Sequence, residues 1–313
     1  MMTRHPIIKV KGALFLLFIL MSPAFFSSAH AGVLTDETGR RVNVPTHPRR
    51  IVSLAPDITE ILFALGLEKE IVGVTRFSDY PEAARTRTKV GSYINLSLER
   101  ILGLHPDLVI GTTNGNRKEA VDKLAMAGIP VYVTNPQRFS NIAETIVNIG
   151  RITGRDAAAR KLAGEMKRKA DRIVSRTVDC RKPKVFVQID SNPLISIGRN
   201  TIYHELIGMA GGINIAGRAQ GKYPRYSMES VIKERPDVIL ISSMIGKASR
   251  KAALDSWSRW QDIPAVRNRR IYFIDSDLTD RFSPRIVHGL EKIAEILHPE
   301  CVRLEKTGRG KSR

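Results

Sequence analysis

SLERILGLHPDLVI (97–110) and SMESVIKERPDVIL (227–240) are two versions of one pattern, 130 positions apart. Ser97/Ser227, Glu99/Glu229, Pro106/Pro236 and Asp107/Asp237 are identical, and six further positions exchange one aliphatic side chain for another. In each copy a serine caps a short helix. Proline ends that helix, and Pro-Asp turns the chain into an apolar run of strand length. One helix-turn-strand unit has therefore been written once in each half of the chain.

The surrounding sequence alternates in the same way. IVSLA (51–55) reads as a buried strand, and Pro56-Asp57 opens a helix whose stripe is Ile58, Ile61, Leu62 and Leu65, ended by Gly66. Strands follow at 70–75, 108–111 and 129–134, with helices at 116–127 and from a Ser140 cap to about Ile152. VLTDETGRRVNVP, just before them, reads as a short hairpin or edge element. After Cys180 the alternation resumes with strands at KVFVQI, VILIS and IYFID and helices near 201, 251–260 and 284–297. TEILFALG (59–66) is echoed by HELIGMAG (204–211). Short apolar runs alternating with helices predict parallel sheets covered on both faces.

Between the halves, DAAARKLAGEMKRKADRIVSRTV lacks proline, holds one glycine and repeats apolar Leu162, Met166, Ala170 and Ile173/Val174 every three or four residues. It predicts one helix of roughly 20 residues, about 30 Å long. The expected α/β fold is two similar lobes with parallel sheets joined by one long backbone helix. Its bounds are an N-terminal lobe over 32–153, the helix over 154–180 and a C-terminal lobe over 181–305.

Residues 1–31 carry Arg4, Lys9 and Lys11, an apolar core at 13–21 and Ala29-His30-Ala31, which reads as a cleaved secretory signal peptide. No cysteine stands at the cut, so no lipid anchor is indicated. The chain is expected in the periplasm as a monomer. Its formal charge of +19 drops to +16 without the three basic residues of the leader. The charge is dispersed and no recognition motif accompanies it, which excludes a nucleic-acid partner. Only the tail at 306–313 is compactly basic, and disorder is expected there. Cys180 and Cys301 admit one disulfide in an oxidising compartment or two separate thiols, and spacing alone does not decide.

These stretches, with SDYP (78–81), GN (115–116) and SPR (283–285), resemble the periplasmic iron–siderophore/cobalamin-binding proteins of ABC importers, most of all the cobalamin-binding members. The resemblance covers nearly the whole chain after the leader. It implies a substrate-binding protein that captures a corrinoid between its lobes and delivers it to a permease dimer with ATPase subunits. Cobalamin would then be the transported ligand, with no resident cofactor or metal. A ferric siderophore or haem is the alternative, which Arg76, Arg218, Arg225, Arg281 and Arg285 keep open.

The resemblance also implies roles for residues. Glu99 and Glu229, one per lobe, would dock with arginines of the two permease subunits. Phe77, Tyr93 and Tyr223 would offer aromatic faces to the ring, and Asp277, Asp280 and Arg281 would bond its peripheral amides. Tryptophans implied at 93, 112, 223 and 278 are absent, and the family's cysteine pair is replaced by Ala210 and Ala294. An enzyme is not expected, since GxSxG, the P-loop and complete GxGxxG are all missing. Nor do the five histidines after the leader share metal-ligand spacing.

Overall fold

The structure is a computed structural model and describes residues 32–245 and 249–303. The leader expected at 1–31 and the basic tail at 306–313 lie outside the described residues.

The chain opens with an antiparallel hairpin of β1 (Gly32–Thr35) and β2 (Arg41–Val44). Then come β3 (Ile51–Ser53), α1 (Pro56–Ala64), β4 (Ile71–Val74), β5 (Thr88–Lys89) and α2 (Leu98–Gly103). β6 (Leu108–Thr112), α3 (Lys118–Met126), β7 (Val131–Thr134) and α4 (Phe139–Ile152) complete the first lobe. Its sheet has the order β5-β4-β3-β6-β7, and every pairing in it is parallel.

α5 (Asp156–Thr177) is the connecting helix, 22 residues long. The second lobe holds β8 (Lys184–Gln188), β9 (Asp190–Ser191), β10 (Leu194–Ile195), α6 (Ile202–Met209), β11 (Ile213–Asn214) and α7 (Met228–Glu234). It continues through β12 (Val238–Ser242), α8 (Ser249–Ser258), α9 (Pro264–Arg267), β13 (Ile271–Ile274), α10 (Ser276–Thr279), α11 (Ile286–Leu297) and α12 (Pro299–Arg303). Its parallel sheet runs β11-β8-β12-β13, which matches β4-β3-β6-β7 strand for strand.

The repeated sequence occupies equivalent places in the two lobes. Ser97 Oγ accepts the Arg100 N–H and Ser227 Oγ accepts the Ser230 N–H, capping α2 and α7. His105 and Arg235, again equivalent, stop these helices in the left-handed region at φ 46 and 51. The aspartates then anchor the central strand pair. Asp107 accepts the N–H groups of Arg49 and Arg50 before β3, and Asp237 accepts that of Lys184 at the start of β8. Each Pro-Asp thus sets the register of one strand against its neighbour.

α5 buries Ala159, Ala163, Met166, Ala170, Ile173 and Thr177, spaced alternately by four and three residues. This stripe lies in a core that runs from β3 and α4 of the first lobe to β8 and α11 of the second. Leu162 and Val174 fall on its flanks and are only half-buried. One continuous core makes the connection stiff, because relative movement of the lobes would open packed apolar surface to water.

α4 differs from expectation at its start. It begins at Phe139, one residue before Ser140, and the Phe139 N–H donates to Glu205 Oε2 of α6 at 2.8 Å. A carboxylate from the other lobe satisfies the free helix end that a local serine was expected to cap. Trp257 is wholly buried in the second lobe, where its Nε1–H donates to Gln188 at 2.6 Å and its ring packs edge-on against Phe186.

Candidate functional site

The loops at the carboxyl ends of both sheets meet, the location where open α/β folds hold ligands. In the first lobe, RFSDYP is held by buried hydroxyls. Ser78 Oγ accepts from Thr59 and pairs with Thr75, and Thr59 pairs with Ser53, all at 2.8–2.9 Å. With Ser78 tied down, Phe77 and Tyr80 point outward, 45% and 47% exposed.

Phe77 lies edge-on to Tyr93 with ring centroids 6.1 Å apart, and the Arg76 guanidinium sits 4.9 Å from the Phe77 centroid. Gly115 and Asn116 seat Tyr93. Asn116 Nδ2 donates to the carbonyls of Leu54 and Tyr93, and its Oδ1 accepts the Thr112 N–H. Gly115 has φ +153, and a Cβ there would overlap the Tyr93 ring.

In the second lobe, backbone bonds from Ser196 and Gly198 to Pro224 and Lys222 hold the loop that presents Tyr223, which is 62% exposed. Partial enclosure raises the Tyr223 phenol, and the charges of Asp280 and Tyr93 add to this. Asp275 caps α10 by accepting the Asp277 N–H. α11 passes so close behind that a Cβ at Gly289 would strike the Leu278 carbonyl.

An ionic cluster crosses between the lobes beside these aromatics. Glu60 of α1 is 3% exposed. Its Oε1 receives Arg281 at 2.8 Å and Arg285 at 3.1 Å, and its Oε2 accepts a short bond from Ser283. Arg281 also reaches Asp79 at 3.0 Å and Asp277 at 2.7 Å, while Arg285 lies 3.8 Å over the Tyr80 ring. Burial raises the Glu60 carboxyl, and the bonds from Ser283 and Arg281 and the charge of Arg285 oppose that rise.

Asp57 at the head of α1 is pushed up to about 6, chiefly by burial and further by Glu60. Asp280 is pushed up to about 7 by burial, with Asp277 and Asp275 adding to it against a bond from Thr279. Of the residues expected here, Phe77, Tyr93, Tyr223, Asp277, Asp280 and Arg281 come together. Arg281, only 13% exposed in its side chain, is engaged by three carboxylates.

The raised Asp280 pKa has a pH consequence. An ordinary carboxyl of this type loses its proton near 3.8, whereas the folded one keeps it to about 7. Over that interval the folded state holds the extra proton, so this group's contribution to stability falls as pH rises and is lowest above 7. Asp280→Asn is therefore expected to stabilise the protein by about 1–3 kcal/mol at pH 8 and hardly at all at pH 4. Urea unfolding at the two pH values checks this, and an equal gain at both would refute the assignment.

Glu60, Asp79, Ser283 and Asp57 were not among the expected site residues. A glutamate inside the apolar stripe of α1, between Ile58 and Ile61, was the one available signal for Glu60. Glu99 and Glu229 are exposed in the first turns of α2 and α7, where the helix dipole favours a carboxylate.

The family model for periplasmic binding proteins matches residues 51–278. The vitamin B12-binding protein of Vibrio campbellii is 32% identical over 82% of this chain and 92% of its own length. YvrC of Bacillus subtilis, an uncharacterized ABC transporter substrate-binding lipoprotein, is 30% identical over 85% of each chain. Among solved structures, the periplasmic haem-binding protein RhuT from Roseiflexus sp. RS-1 superimposes with a TM-score of 0.73 at 29% identity, covering 81% of this chain and 99% of that one. Among the described residues no helix is long and apolar enough to cross a membrane. With these matches over a fold of two like lobes, this chain belongs to the periplasmic binding protein family of ABC transporters.

Proposed function

We propose that the chain captures a corrinoid between its lobes and presents it to the permease of an ABC importer. The observation that carries this reading is the pairing of aromatics that reach solvent, Phe77 and Tyr223 exposed and Tyr93 half-buried, with arginines held by carboxylates. Phe77, Tyr93 and Tyr223 offer flat apolar faces from both lobes, at low cost in rotamer freedom. Arg281 and Arg285 are neutralised by Glu60, Asp79 and Asp277. These two leave little positive charge of their own for the carboxylates of haem or for an anionic ferric siderophore. Arg76, exposed beside Phe77, is a cation that such a ligand would still meet. A large neutral ring fringed with amides suits such a site, where Asp277 and Asp280 accept from amide N–H groups. The similarity to a vitamin B12-binding protein supports the same ligand class.

In this reading residues 1–31 direct export and are removed. The permease dimer and its ATPase are the partners, with Glu99 and Glu229 as the docking points. Binding needs no bond-making chemistry from the protein.

Calorimetric titration with cyanocobalamin, haem and a ferric siderophore tests the ligand. Saturable one-to-one heat with cyanocobalamin alone is the expected result. Tight binding of haem or siderophore with no heat from cyanocobalamin would replace the corrinoid by that ligand.

A further inference from the structure

Away from the cleft, Cys180 follows the end of α5, and Cys301 lies in α12. The two are joined by a disulfide. His298, the residue that ends α11, sits three positions before Cys301, and one of its ring nitrogens lies within 4.8 Å of both sulfurs. Its imidazole is 1% exposed, and Nε2 has no hydrogen-bond partner among the described residues. The absence of a side chain at Gly211 makes room for that nitrogen, since a Cβ there would overlap Nε2. An orphaned buried ring nitrogen costs about 1–3 kcal/mol, so it calls for a partner that none of the described residues supplies. Glu300 Oε1 stands 4.0 Å from Cys301 Sγ.

We propose that reduction of this disulfide converts the cluster into a binding site for a thiophilic divalent cation of the zinc type. Cys180, Cys301 and His298 are its ligands, and Glu300 or water completes the shell. Two sulfurs, one imidazole and one oxygen are a donor set that tetrahedral zinc accepts. The reductant is a dithiol, small or protein-borne. It transfers two electrons and two protons to the disulfide, giving two thiols, and becomes a disulfide itself. On binding the cation, both thiols release their protons to solvent and bind as thiolates. Oxidation occupies the sulfurs with each other and closes the site. The chain thus holds either a cross-link or a cation at the place where α5, α11 and α12 meet.

Cobalt(II) is the probe, added to residues 32–313 in oxidised form and after reduction by a phosphine. The reduced protein is expected to bind one cobalt with the near-ultraviolet thiolate charge-transfer band and the visible bands of a tetrahedral site, while the oxidised protein shows neither. Zinc should displace the cobalt and protect both thiols from alkylation. His298→Ala keeps both thiols and is expected to weaken cobalt binding by more than about tenfold. Cys301→Ser, which cannot form the cross-link under any condition, should lose most of the thiolate band. Reduced protein of unchanged circular dichroism that binds cobalt no better than oxidised protein would overturn the proposal. So would a reduced chain that unfolds and is not restored by zinc, or a His298→Ala variant that binds as the parent does.

Discussion

Glu60→Ala is expected to destabilise the protein by about 3–5 kcal/mol, because it leaves two partly buried guanidiniums without their common carboxylate. Arg281 and Arg285 are only 13% and 21% exposed in their side chains, so water cannot fully replace Glu60. Arg281 keeps Asp79 and Asp277, but Arg285 keeps only the face of Tyr80. In a chain of this size the loss corresponds to a fall of about 5–15 °C in melting temperature. Glu60→Gln should cost less, since an amide oxygen can still accept from Ser283 or one arginine. The cluster ties α1 to the loop before α11, so faster amide exchange should concentrate at 276–285 and 76–80. Calorimetry with hydrogen exchange checks both, and a melting temperature within a degree or two of the parent's would refute the lock.

Reversing charge at both Glu99 and Glu229 to lysine is expected to reduce transport by at least about a hundredfold while ligand affinity stays at the parental value. Like charges brought together at an interface cost several kcal/mol, and the permease dimer proposed as partner would meet the change twice. Both side chains are exposed on α2 and α7, so stability should change by less than about 1 kcal/mol. Uptake of labelled ligand and titration of the purified variant are measured in parallel. Normal uptake would refute docking through these residues, whereas lost binding would place them in the ligand site.

Much of the architecture was legible because its signals are local. A serine three residues before the N–H that it caps, a proline that stops a helix and a four-three apolar spacing all act over a few positions. They do so whatever the rest of the chain does. The start of α4 was misplaced for the opposite reason. Its first N–H is met by Glu205, 66 positions away, so no nearby residue marks it.

The site follows the same division. Phe77, Tyr93 and Tyr223 could be singled out by residue type and by resemblance. The seat that Gly115 provides for Tyr93 required the backbone of two loops to be in place. Glu60 meets Arg281 across 221 positions, and the bond sets a residue expected to hold ligand within an ion cluster that crosses between the lobes. His298 looked solitary among five scattered histidines. Folding set it beside two cysteines, one of them 118 positions before it.

By itself, the sequence determined the duplicated helix-turn-strand unit, the parallel α/β lobes and the helix between them. Backbone hydrogen bonding and side-chain periodicity are properties of short segments. Only the tertiary structure decided which charges neutralise each other, how the aromatics are aimed and which sulfurs meet. Coulombic and covalent partners depend on distance in space, and that distance exists only once both lobes have packed against α5.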